Sequence, residues 1–196
     1  MVKTINKLRP KFSTHADGSD AVLFIHELVG EKDGPTVGIS ASIHGNENAG
    51  SQAVLELYRR IKDMPLRGRI LLLPVANPRA FAVNHRFTPL DELNLNREFP
   101  GDQRGNYTQQ LAFALARDYF AKINANIDLH SGTDRPTVDY VYIWSDEGLS
   151  RAFGWDQREL TRIQGREAVI EVLRERESEL QPHVERLPRN VLELRT

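Results

Sequence analysis

Short apolar segments in this 196-residue chain alternate between strand-like and helix-like periodicity, and that alternation limits its fold more than any other feature. Ala21 to His26 is short and apolar-rich and reads as a strand ending near Gly30. Thr36 to Ile43 is a second strand, small and β-branched, after the turn-like Lys32-Asp33-Gly34-Pro35. Asn48 to Lys62 places Ala53, Val54, Leu57 and Ile61 at helical spacing. Arg69 to Val75 is a continuous apolar run closed by Asn77-Pro78, the pattern of a buried parallel strand. Helical periodicity returns from Tyr107 to Ile123 through Leu111, Ala114, Leu115 and Tyr119. Asn126 to His130 and Val138 to Trp144 read as strands, and Gln157 to Leu180 as a long amphipathic helix laced with Arg and Glu. Asn190 to Leu194 makes a last strand. Alternation of this kind predicts an α/β fold, a sheet covered on both faces. Ligands in such folds sit beyond the carboxyl ends of the strands. His44 and His130 both fall directly after strands.

Composition narrows the function classes. Lys+Arg total 26 against Asp+Glu 27, a net charge of -1, which gives no electrostatic argument for nucleic acid or an anionic membrane. There is no cysteine, so disulfides, thiolate catalysis and Cys-based metal sites are excluded. The N-terminal residues hold no apolar stretch of signal-peptide length. The longest apolar run, Ile70 to Ala76, is interrupted by Pro74 and is too short to span a bilayer. The expectation is a cytoplasmic protein acting on a small molecule, with no nucleic-acid or membrane partner.

Residues 79–106 show little periodicity and are rich in Asn, Arg, Pro, Gly and Asp; a stretch that long inside a compact domain is more often functional than idle. The most informative motif precedes it. In His44-Gly45-Asn46-Glu47 a His and a Glu three apart leave a strand and enter a helix, so they can converge on one ion. Three protein ligands and an open water position make a catalytic zinc site. Asp128-Leu129-His130, at another strand end, supplies the third ligand, with Asp128 able to orient a ligand through a hydrogen bond. Each piece also has a plain reading: Glu47 as a capping carboxylate in the first helical turn, His130 as a satisfied core or surface histidine. His15, His85 and His183 have no evident partners and read as surface groups.

The loop adds Asn77-Pro78-Arg79-Ala80, then Arg86, then Leu93-Asn94-Leu95-Asn96-Arg97-Glu98-Phe99-Pro100-Gly101. With His-Gly-Asn-Glu before it and Asp-Leu-His-Ser after it, the chain resembles the aspartoacylase/succinylglutamate desuccinylase branch of the zinc carboxypeptidase superfamily, with the motifs in the family's order over roughly residues 36–132. The resemblance implies a three-layer fold around a central mixed, mostly parallel sheet, as in the zinc carboxypeptidase (phosphorylase/hydrolase-like) catalytic domain. It implies zinc on His44, Glu47 and His130, Arg86 polarising the scissile carbonyl, and Asn96 and Arg97 clamping a substrate carboxylate. A guanidinium fork suits a carboxylate, and a fixed cation suits a developing oxyanion. The alternative for Arg86 and Arg97 is ordinary surface arginine.

Two departures from the family pattern stand out. Asn94 occupies a place where the family usually has Asp, which removes a charge that could orient Arg97 or Arg86. The late carboxylate that serves as general base has one strand-borne counterpart, Glu193, 63 residues after His130; the other reading of Glu193 is an exposed strand-edge carboxylate. Glu177, Glu179 and Glu185 fit the role less well, as solvated helix positions. Residues 1–196 read as one zinc-hydrolase catalytic domain, without the β-rich C-terminal domain of the family. A fragment, a naturally short form and a domain completed by homo-oligomerisation are all compatible with that. The expected activity is hydrolysis of the amide of a small N-acylated, carboxylate-bearing substrate. The rivals are a metallocarboxypeptidase acting on peptides, a zinc- or ligand-binding protein without catalysis, and an assembly subunit with a vestigial metal site.

Overall fold

The structure, a computed structural model, describes residues 2–131, 140–143 and 190–195. Two strands not anticipated from the sequence open the chain, β1 (Val2–Leu8) and β2 (Lys11–Thr14). They were hard to see because β1 is a sheet edge, largely exposed, with Lys3 and Lys7 among its outward residues, so it carries little apolar signal. The single strand expected over Ala21–His26 is two. β3 (Asp20–Val22) pairs with β2 in a separate hairpin, and β4 (Ile25–Gly30) belongs to the main sheet. Between them Leu23 turns fully into the core while its N–H donates to the Pro10 carbonyl.

β5 (Lys32–Ala41) begins earlier than expected. The anticipated turn at Lys32–Pro35 is instead an irregular strand start, where the register against β6 (Arg67–Leu73) shifts between Lys32 and Thr36. Gly68, at φ +77, sits so close to the Pro35 carbonyl oxygen that a Cβ has no room there. Between β5 and β6 lies helix α1 (Ala49–Ile61), as the spacing predicted. The aperiodic loop holds a short helix α2 (Pro78–Ala82) and a 3₁₀ turn (Leu95–Arg97). Helix α3 (Tyr107–Asp118) starts in a capping box made by Asn106 and Gln109. It ends five residues before the predicted Ile123, giving way to a 3₁₀ turn at Phe120–Lys122. β7 (Ala125–His130), β8 (Tyr140–Ile143) and β9 (Asn190–Arg195) complete the described elements. The helix expected over Gln157–Leu180, with Glu177 and Glu179, lies outside the described residues, as do His183 and Glu185.

The main sheet has seven strands in the order β1-β4-β6-β5-β7-β9-β8. Its centre, β6-β5-β7-β9, is parallel; β1 also runs that way, while β4 and β8 are reversed. This is the mixed, mostly parallel sheet expected. Its two faces carry separate cores, because side chains alternate along each strand. Leu71 and Leu73 of β6 join Leu111, Ala114 and Leu115 of α3, whereas Leu72, Ile39, Ala41, Ile127 and Leu129 join Val54 and Leu57 of α1. Two helices on opposite faces of one sheet give three layers. From β5 the chain goes through α1 to β6 on one side, then returns through α3 to β7 on the other. The carboxyl ends of β5 and β7 therefore flank a topological switch point, where a crevice for ligand opens. No helix among the described residues is long and apolar enough to cross a membrane.

Leu72 is fully buried between β6 and α1. Leu72→Ala should lower the free energy of unfolding by about 2–5 kcal/mol, read from urea denaturation, through lost transfer energy and the cavity left behind.

Candidate metal centre at the switch point

After Ala41, Ser42 takes a left-handed backbone, φ 52, and turns the chain out of β5. Its carbonyl accepts from the Asn77 N–H, and its hydroxyl bonds both the Glu47 carbonyl (3.1 Å) and Ser51 (2.6 Å). Gly45 lies against the backbone of Ala80, where a Cβ would overlap the Ala80 carbonyl group. α2 is in turn fixed by Asn77, whose Oδ1 caps the Ala80 N–H and whose Nδ2 donates to Thr88. His44 and Glu47 are thus aimed by tight backbone packing. Glu47 precedes the helix cap Asn48, so it is not the first-turn residue the sequence suggested, and its carboxylate is free to face the sheet ends.

The three expected ligands come together. His44, Glu47 and His130 are 1%, 5% and 1% exposed, and they offer ligand atoms that lie within 4.8 Å of one another. His44 Nδ1 stands 2.9 Å from Glu47 Oε1, and His130 Nδ1 stands 2.8 Å from Glu47 Oε2. The outer ring nitrogens are held as well: His44 Nε2 by Asn94 Oδ1 at 3.1 Å, His130 Nε2 by Asp128 Oδ2 at 3.0 Å. Both nitrogens of each ring therefore face an acceptor oxygen. That arrangement calls for positive charge between the rings and the carboxylate, from a proton or from a metal ion, and the nitrogen–oxygen donor set suits zinc. Burial by itself would raise the Glu47 carboxyl, but hydrogen bonds from His130 and His44 outweigh it and hold the group well below the usual carboxylate range. Burial would likewise lower His130; its hydrogen bonds to Asp128 and Glu47 win and push it up to about 10.

Two further donors steady Glu47. The Ser131 N–H reaches Oε2 at 3.1 Å, and Arg86 Nη1 reaches Oε1 at 3.1 Å from a partly exposed position. Arg86 is therefore at the centre. Asn96 and Arg97 lie two and three residues beyond Asn94; Arg97 is exposed and its Nη1 donates to the Asn96 carbonyl at 3.0 Å. Asn94 has a contact that the sequence did not show: its Oδ1 faces His44 and also accepts the Asn96 N–H, which fixes the amide so that oxygen points to the ring. Glu193 falls on β9 in register with Asp128 of β7, with His130 paired to Arg195; its side chain lies outside the described residues.

Some residues were missed or read too plainly. The Ser131 N–H leaves no trace in a sequence pattern. His15 is a structural group, its Nδ1 held by Arg79 at 2.8 Å and its ring stacked on Tyr107. The His85 ring faces the nearby Phe87 carbonyl, with Nδ1 at 3.1 Å.

Known proteins bear on this geometry. A family model described as the succinylglutamate desuccinylase/aspartoacylase catalytic domain matches residues 33–180. The N-alpha-acetyl-L-2,4-diaminobutyric acid deacetylase of Halomonas elongata is 34% identical over 117 residues, 57% of this chain and 33% of that protein. A succinylglutamate desuccinylase from Silicibacter sp. TM1040 superposes with a TM-score of 0.63 at 27% identity, over 76% of this chain and 46% of that one. An aspartoacylase family protein from Mesorhizobium loti gives a TM-score of 0.72 over 100% of this chain and 63% of its own, at 22% identity, a likeness of fold. The chain spans about a third of the length of the curated relative and under two thirds of these solved structures.

Gly45→Ala should disrupt the centre although it removes no polar atom. We expect a lower melting temperature by calorimetry and loss of stoichiometric zinc by elemental analysis; parental values for both would show that the Ala80 contact does not position His44. Residues 33–180 match the catalytic-domain model, and the site motifs sit at the switch point of its fold, so the chain belongs to the succinylglutamate desuccinylase/aspartoacylase family.

Proposed function

We propose that this chain is the catalytic domain of a zinc-dependent amidohydrolase that removes the acyl group from a small N-acylated, carboxylate-bearing molecule. The observation that carries the reading is the buried His44–Glu47–His130 cluster at the switch point, with Arg86 on its carboxylate. A zinc ion held there would supply Lewis acidity and lower the pKa of water. Arg86, already within reach of the cluster, steadies negative charge developing on the carbonyl oxygen. Asn96 and Arg97 bind the substrate carboxylate, Arg97 through its planar fork. Glu193 takes the proton from the attacking water and returns it to the leaving amine; in support, its strand lies directly beside the one that ends in His130.

Deacylation is favoured over peptide cleavage because the curated relative bears the name of a deacetylase and the matching family is one of desuccinylases and aspartoacylases. The proposal includes a small-molecule partner and a cytoplasmic setting, in keeping with a net charge of -1 that offers no pull toward nucleic acid or anionic lipid.

The test begins with metal content of the purified chain beside His44→Ala. Near-stoichiometric zinc, lost on substitution, is expected. N-acyl amino acids are then assayed beside C-terminal peptides. Glu193→Gln should lower kcat by about 10²–10⁴-fold, and Arg86→Ala by about 10²–10³-fold. Activity on peptides alone would sink the deacylase reading, and a parent chain that takes up no zinc would sink the enzyme reading.

A further inference from the structure

Behind His130 runs a line of buried polar side chains that the proposed reaction does not use. Asn126, Asp128 and His130 alternate along β7 and so share one face. Gly38 and Ser40 of β5 pair with Asn126 and Asp128. Tyr119, from the end of α3, closes the line from below the sheet. Each of the five polar side chains is 5% exposed or less, so water cannot satisfy them.

Their hydrogen bonds run in one direction. The Ser40 hydroxyl donates its single hydrogen to Asp128 Oδ1 at 2.7 Å. The Ser40 oxygen then accepts from Asn126 Nδ2 at 3.0 Å, which turns Asn126 Oδ1 toward Tyr119. The Tyr119 hydroxyl donates to that oxygen at 2.8 Å. Burial first, and the Asp128 charge second, push the Tyr119 phenol well above its ordinary value, so it remains a donor. At the other end Asp128 Oδ2 accepts from His130 Nε2, leaving Nδ1 aimed at Glu47. Gly38 makes the space: a Cβ there would stand 2.6 Å from Asn126 Oδ1 and 2.7 Å from the Tyr119 hydroxyl. A glycine in mid-strand is otherwise a weakness.

We propose that Tyr119, Asn126 and Ser40 are positioning residues for metal capture, a one-way hydrogen-bonded seam that fixes Asp128 and through it the tautomer and aim of His130. Their hydrogen bonds reach His130 by way of Asp128, through Ser40 on Oδ1 and His130 on Oδ2. The proposal rests on His130 being a metal ligand. A purely structural role would be to satisfy core polarity, and would make the seam matter for stability alone.

The experiment uses the full chain and reads the zinc dissociation constant by competition with a chromophoric chelator, the visible spectrum of the cobalt-loaded protein, and the melting temperature of the metal-free form. Ser40→Ala should weaken zinc binding by about 10-fold and alter the cobalt spectrum. Tyr119→Phe, which keeps the ring in the core, should shift both in the same direction by less, and it carries the test if Ser40→Ala does not fold. Leu72→Ala, destabilised on the opposite face, should keep parental zinc affinity and spectrum. Parental affinity and spectrum in the seam variants, or equal weakening in Leu72→Ala, would overturn the proposal. A parent that binds neither zinc nor cobalt would overturn the metal reading itself, an outcome separate from a parent that binds and seam variants that bind equally well.

Discussion

Glu47 keeps a charged carboxylate in a place almost closed to water, and the rest of the site is organised around meeting that cost. An isolated buried charge costs several kcal/mol, so it persists only with close partners. Here both oxygens are taken up, one by His44 and Arg86, the other by His130 and the Ser131 N–H. The partners come from three separate parts of the chain: the turn after β5, the long loop, and the end of β7 with the residue beyond it. No local segment could assemble them.

What brings them together is backbone geometry. Parallel pairing of β5 with β7 sets two strand ends side by side, and the chain's crossovers to opposite sides of β5 leave the gap between them open. The left-handed turn at Ser42 and the bare backbone of Gly45 then allow α2 to press against the loop that aims His44. The long loop is not idle. Leu95 anchors it in the core, and Asn94 and Arg86 reach from it into the centre. A rigid sheet with adaptable loops at its carboxyl edge is how α/β folds separate stability from chemistry.

The two imidazoles are held by unlike partners. His130 faces a carboxylate backed by the Tyr119–Asn126–Ser40 series, whereas His44 faces a neutral amide on a loop. One imidazole is thus tied to the sheet core and the other to the surface turn that also carries Asn96 and Arg97.

Much of this was legible in the sequence. The central strands, α1, α3 and the three members of the His–Glu–His cluster follow from periodicity and from His and Glu placed at strand ends, because those signals are local. The edge strand β1 escaped, since a half-exposed edge needs no apolar pattern. The contact of Asn94 with His44 was not visible, since which side chain an amide touches depends on where a 28-residue aperiodic loop comes to rest. The seam was present as alternating polar residues in β7, but alternation alone cannot say that Ser40 and Tyr119 would meet them. The sequence by itself determined the central elements, the donor chemistry and the family, carried by periodicity and by short motifs that are each local and that recur in order along the chain. Only the tertiary structure decided the pairing of Glu47 with His130, 83 residues away, and the one-way order of the buried bonds. Such contacts are set by strand register and helix packing, which no short window of residues contains.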